Sequence, residues 1–135
     1  MKILSLFFVL SLLVTLSTCN NNSWTKYYKE EYIPKSIEGK ISDIELWKGS
    51  TLGLKIENKL KEDEISIHTD YDILMQIKKG DYFKKIANSN KCFIERGDSI
   101  IYIDCYRLSD QERKSIRKLN EWKPEEKNHW ELKKK

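Results

Sequence analysis

From Ile37 to Tyr106 the apolar residues keep a period of two and are interrupted every few positions by turn formers, a rhythm that admits short strands and little helix. Ile37, Gly39 and Ile41 share one parity while Ile44 and Leu46 take the other, which predicts a bulge near Ser42-Asp43. Lys48-Gly49-Ser50 makes a turn, Leu52, Leu54 and Ile56 alternate, Glu57 to Glu64 reads as a charged loop, and Ile65 and Ile67 start a strand that ends near His68. Ile73, Leu74 and Ile77, followed by Gly80, predict one or two helical turns within Asp72 to Lys79. Three further strands follow at Tyr82 to Ile86, Lys91 to Glu95 and Ser99 to Tyr106, punctuated by Asn88-Ser89-Asn90 and Gly97-Asp98. The expected fold is mainly β: a small barrel or strongly twisted antiparallel sheet of five or six short strands.

A C-terminal helix is expected behind the sheet. Ser109 and Glu112 have capping-box spacing, Ile116, Leu119 and Trp122 form a narrow apolar stripe, and Pro124 stops the helix. The charged stretch after Pro124, with Trp130 its sole Trp, Tyr or Phe, reads as a mobile tail. With two Pro, five Gly and 11% aromatic residues the composition is that of a folding chain.

The N-terminus carries an address. Lys2 precedes an apolar run from Ile3 to Leu16, and Leu16-Ser17-Thr18-Cys19 closes it with small residues, the order of a secretory signal. As a helix that run reaches roughly 21 Å at about 1.5 Å per residue, short of a hydrocarbon core of about 30 Å. Leu-Ser-Thr-Cys resembles the lipobox of bacterial lipoproteins, with Thr18 in place of the usual Gly, Ala or Ser. The resemblance implies cleavage before Cys19, lipidation of its thiol, and a membrane anchor through acyl chains. Asn20 is not the Asp that favours inner-membrane retention in some Gram-negative bacteria, which turns the expected address toward the outer membrane, on its periplasmic or surface face. The expected organisation is a signal peptide over 1–18, a lipidated tether over 19–30, one β-rich domain with its C-terminal helix over 31–123, and a charged tail over 124–135.

A second resemblance lies in the body. Tyr71-Asp72-Ile73-Leu74, then Ile77-Lys78-Lys79-Gly80-Asp81-Tyr82-Phe83-Lys84-Lys85, Ser89, and Cys92-Phe93-Ile94-Glu95-Arg96 resemble small lipoproteins common in Bacteroidetes. There an apolar segment leads to Gly-Asp-Ser, an aliphatic pair, one or two Lys and a Gly-Ser turn; here Tyr82 stands for the Ser and Asn88-Ser89 for the Gly-Ser. Those proteins are of uncharacterised function with a small β-rich domain, so the resemblance implies an address and a fold class and no chemistry.

Catalytic and metal constellations are sparse. His68 and His129 are the only histidines; His129 falls in the tail, and His68, beside Thr69 and Asp70, reads as a surface or turn residue. There is no Cys-x-x-Cys, no His-x-x-x-His and no phosphate-binding glycine loop, so neither metal nor cofactor is expected. Acid pairs such as Asp70 with Asp72 and Glu62 with Glu64 fit a solvated surface. Lys78, Lys79, Lys84 and Lys85 flank Tyr82 and Phe83 in a pattern able to stack a base or sugar, but strand alternation sends half of these side chains inward. The net charge of +4 comes from interspersed charges, without a basic stripe for nucleic acid. Arg96-Gly97-Asp98 spells an adhesion tripeptide and also a type II′ hairpin turn, and the turn is the preferred reading.

Cys92 and Cys105 are a candidate disulfide. With Gly97-Asp98 as the turn, Arg96 pairs Ser99, Ile94 pairs Ile101, Cys92 pairs Ile103, and Cys105 lies diagonally about 7–8 Å from Cys92, beyond comfortable reach. With Asp98-Ser99 as the turn they oppose directly and a bridge forms; in either case both belong to the buried face.

The leading expectation is a lipid-anchored, non-enzymatic cell-envelope protein, a structural or protein-interaction module with an envelope protein as partner. A secreted immunity or inhibitor module against a toxin or enzyme, and a small carbohydrate-active or other hydrolase, stand as alternatives.

Overall fold

The parity switch in the first strand is built as a bulge. Strand β1 (Ile37–Leu46) pairs antiparallel with β2 (Thr51–Glu57), and the register slips between Ile41 and Asp43. Before the slip Ile37 and Ile41 enter the core; after it Ile44 faces Leu54 across the ladder. The computed structural model describes residues 22–134, so the expected signal peptide and Cys19 lie outside the described residues.

Among the described residues seven strands form one sheet, completed by β3 (Glu62–His68), β4 (Tyr82–Lys85), β5 (Lys91–Arg96), β6 (Ser99–Asp104) and β7 (Trp130–Leu132). Their order is β3-β2-β1-β4-β5-β6-β7, every pairing is antiparallel, and the sheet is not closed into a barrel. It curls enough for the end of β3 to meet the chain leaving β6: His68 N–H donates to Cys105 O (2.9 Å) and Arg107 N–H to His68 O (2.7 Å). The curl brings strands close at Gly39, where φ is +155° and an added Cβ would lie 2.3 Å from Glu57 O. Only glycine fits there.

The concave face carries the core. Leu54, Ile56, Ile67, Phe83, Ile94, Ile101 and Ile103 are almost wholly buried, each contributing about 1.5–3 kcal/mol of apolar burial. The expected charged loop shortens to Asn58–Lys61, because Glu62 to Glu64 already pair with β2. Asn58 Oδ1 accepts from Leu60 N–H (2.9 Å) and Lys61 N–H (3.1 Å), which holds the reversal.

The tether reading is corrected from Asn22 onward. Helix α1 (Asn22–Tyr27) continues into a π-turn (Tyr28–Tyr32) that buries Tyr28 and Tyr32 against the sheet. Tyr28 stacks on Tyr32 (5.0 Å between centroids), both rings meet Tyr106, and Tyr32 donates its hydroxyl to Ser66 O on edge strand β3 (2.7 Å). Lys85, wholly buried, fastens this segment from below. Its ammonium shares three N–H groups among the carbonyls of Ile33 (3.1 Å), Lys35 (2.9 Å), Ile86 (3.2 Å) and Ser89 (2.9 Å).

Helix α2 is a single turn (Tyr71–Leu74), and helix α3 (Asp110–Ser115) starts at the expected capping box, with Glu112 N–H on Ser109 Oγ (3.2 Å) and Ser109 N–H on Glu112 Oε2 (2.7 Å). The expected helix to Trp122 does not form: Ile116 is extended and Lys118 has φ +61°. Asn120 O accepts from Asn90 N–H (2.9 Å), and Trp122 Nε1–H donates to Cys92 O (3.0 Å), contacts that replace the missing helical bonds.

The tail is corrected as well. A short 3₁₀ turn at Pro124–Glu126 leads into β7, which pairs Ser99 with Leu132 and Ile101 with Trp130. Lys127 pairs with the buried Asp104, and Lys133 with Glu95 (2.6 Å). Two ion pairs and an edge strand hold what composition alone read as mobile.

Candidate functional site: an aromatic groove and a polar cleft

Among the described residues two concavities stand out. The first, about 220 Å³, lies between the N-terminal segment, through Tyr27 and Tyr32, and the β1–β3 strands, through Ile44, Leu54 and Ile65. Trp47 completes it. The Trp47 indole rests on Gly53, where an added Cβ would meet the ring at 3.0 Å, so the glycine is what lets the ring lie flat on the sheet. Trp47 remains 49% exposed, its neighbour Leu46 52%, and Tyr27 43%. Charges frame the groove: Lys55 approaches Glu64 (3.9 Å), and the hydrogen bond from Lys79 (2.5 Å) holds the Asp43 carboxyl below its ordinary range. An aromatic wall, an aliphatic floor and a polar rim suit burial of an apolar side chain from another molecule.

The second concavity, about 350 Å³, opens where β3 meets the chain leaving β6, and it is almost entirely polar. Asp104 accepts from Lys127 and from Trp122 N–H (3.3 Å). Across the cleft Asp70 forms an ion pair with Arg107 (3.3 Å) and accepts from Asn128 Nδ2–H (3.3 Å). His68 lines the wall with its ring against Tyr106 (5.3 Å). The sequence placed His68 at a strand end beside Thr69 and Asp70; it gave no sign that Asp104, Arg107 and Asn128 join them.

Cys92 and Cys105 are joined in a disulfide, with Cα atoms 5.2 Å apart and both side chains buried. The hairpin register is the one with Gly97-Asp98 at the turn, Arg96 opposite Ser99 and Cys92 opposite Ile103. The diagonal separation expected from that register does not hold, because β6 ends at Asp104 and Cys105 N–H turns back to Asn90 O (2.8 Å). That bend brings the two sulfurs together.

The basic and aromatic run around Tyr82 disperses. Phe83 and Lys85 point inward; Lys84 pairs with Glu38 (2.8 Å), whose carboxyl this hydrogen bond holds below its ordinary range, and Tyr82 donates to the same carboxylate (3.3 Å). Arg96 of the adhesion-like tripeptide is committed to Asp81 through two hydrogen bonds (2.8 and 2.7 Å) and lies over the Trp130 ring (4.8 Å), while Gly97 takes φ +56° in the turn. The segment from Tyr71 to Arg96 thus supplies architecture, Asp81 as a clamp and Lys85 as a staple. No family model, curated protein or solved structure matches the chain.

Proposed function

We propose that this chain is a lipid-anchored, non-enzymatic cell-envelope protein that binds a partner protein through the groove beside Trp47. The observation that carries the reading is the half-exposed Trp47 indole, which packs against Gly53 and lines an aliphatic cleft together with the half-exposed Tyr27. Large apolar rings displayed in this way contribute little to the stability of the monomer and much to an interface. The paired state of Asp70 and Asp104 supports a binding role over a hydrolytic one, since each carboxylate is committed to a cation. The anchor rests on the signal-like N-terminus and Cys19. Helix α1 begins at Asn22, so a lipidated Cys19 would hold the domain within about 11 Å of the bilayer, at about 3.6 Å per residue.

A photoreactive side chain at position 27, on the exposed wall of the groove, activated in intact cells, tests the reading. One dominant crosslinked protein, lost in a Trp47→Ala background, is expected; an unspecific ladder under several chemistries would reject it. An exported toxin or enzyme as the captured protein would select the inhibitor alternative. The anchor is tested separately by labelling with a palmitate analogue, where Cys19→Ala is expected to lose the label.

A further inference from the structure

The polar cleft holds two buried polar atoms that find no partner among the described residues, Nδ1 of His68 and Oδ1 of Asn128. The Asn128 amide is oriented by Asp70: its nitrogen must face that carboxylate, because the reversed amide would set oxygen against oxygen. Its oxygen is therefore a true acceptor without a donor, a state that folded proteins rarely leave unmet. The backbone enforces the position, since Asn128 has φ +67° and donates its N–H to Tyr102 O (2.9 Å).

Two guanidinium groups supply the complementary chemistry. Arg107 makes a single ion pair with Asp70 (3.3 Å) and its side chain is 65% exposed, leaving most of its N–H donors available. Arg113, which also lines the cleft, is held by Glu121 (3.0 Å) through Nε, and its Nη1 lies 3.7 Å from the exposed Asp110, which leaves Nη2 without a protein partner among the described residues. A ligand that satisfies this set carries an anionic group for the arginines and a donor for Asn128. Asp70 and Asp104 stand close by and disfavour a doubly charged phosphate, while a monoanion with an adjacent N–H is compatible with them. Leu108 is the sole aliphatic residue of the lining, so a large apolar side chain gains nothing there.

We propose that this cleft binds a small carboxylate with a hydrogen-bond donor beside it, the chemistry shared by a free α-amino acid and the carboxyl-terminal residue of a peptide. Arg107 and Arg113 receive the carboxylate; Asn128 Oδ1 receives the N–H. The full chain, titrated by calorimetry and by ¹H–¹⁵N NMR with L-alanine, L-alanyl-L-alanine, L-alaninamide and inorganic phosphate, decides the matter. Saturable binding of alanine or the dipeptide is expected, with shifts at His68, Arg107 and Asn128 and affinity for alaninamide lower by about tenfold or more. The preferred probe identifies the source, free amino acid or peptide end. Two variants guard against misfolding: Arg107→Gln on the exposed rim, and Asn128→Gly, which keeps the left-handed backbone. Both are expected to fold and to bind about tenfold more weakly. No saturation by either carboxylate, equal binding of alaninamide, tighter binding of phosphate, or unchanged affinity in both folded variants would each overturn the proposal.

Discussion

The hydroxyl of Tyr28 donates a 2.5 Å hydrogen bond to Oδ1 of Asn90, a residue 62 positions away and wholly buried. Asn90 is fully used: the same oxygen accepts from Tyr106 N–H (3.0 Å), and its amide nitrogen donates to Tyr106 O (2.7 Å) and Glu121 Oε1 (3.0 Å). Through it the N-terminal helix, the bend after β6 and the segment before Trp122 share one point. Burial, reinforced by Glu121 and Asp104, pushes the Tyr28 phenol far above its ordinary range, so it stays a donor.

Tyr28→Phe removes one of these bonds and is expected to cost about 1 kcal/mol, whereas Asn90→Ala strands several buried groups and should cost 3 kcal/mol or more. Urea unfolding of both variants measures this. Equal, small losses would show that Asn90 is no hub.

Stability should depend on alkaline pH in two opposed ways. Burial pushes Lys85 down from its ordinary 10.5 to about 8. Below pH 8 folded and unfolded chains both hold the proton; between about 8 and 10.5 only the unfolded chain does, so stability rises with pH in that window. Tyr28 and Tyr32 act in the opposite sense: unfolded phenols ionise near 10.0, burial holds the folded ones protonated, and stability falls above that pH. The thermal midpoint is expected to climb from pH 8 to 10 and then drop. Lys85→Met should flatten the climb and, by taking the donor from the carbonyls of Ile33, Lys35 and Ser89, lower stability by about 3 kcal/mol at pH 7. A midpoint that falls steadily from pH 8 would contradict the assignment.

What the sequence revealed and what it hid divide along physical lines. The β1 bulge, the Gly97-Asp98 turn and the Ser109–Glu112 box were legible because each is set by neighbours in the chain. The N-terminal helix was missed although Trp24, Tyr28 and Tyr32 recur every fourth residue; charged neighbours masked an aromatic stripe that reads as one helical face. Strand β7 carried too short a signal, three residues whose pairing depends on β6 being free at its edge. The polar cleft could not be read at all, since Asp70, Asp104 and Asn128 come together only when the sheet curls.

Cys92 and Cys105 close a loop of 13 positions, and neither sulfur is exposed. Mild reductant should leave the folded protein intact, and reduction under denaturing conditions should lower stability by about 3 kcal/mol. Thiol labelling checks it: no free thiol from this pair in the native protein, two after reduction in urea. Rapid reduction of the folded protein would mean that the hairpin opens far more readily than its burial implies.

The tail gives the sharpest test, because its composition reads as mobile and the structure builds it in. Trp130 donates its indole N–H to Gln76 Oε1 (2.8 Å) and lies under Arg96, which itself clamps Asp81. Lys127 neutralises Asp104, a carboxylate only 7% exposed. Truncation after Trp122 removes the strand and strands that carboxylate, an expected loss of about 3 kcal/mol or roughly 10 °C in thermal midpoint. Truncation after Asn128 keeps the Lys127–Asp104 pair and removes β7 with the partly exposed Lys133–Glu95 pair, so it should lose less than half as much. An unchanged midpoint in the shorter chain would show that β7 and its ion pairs contribute nothing; equal losses in both would place the whole effect in the strand and none in the buried charge pair.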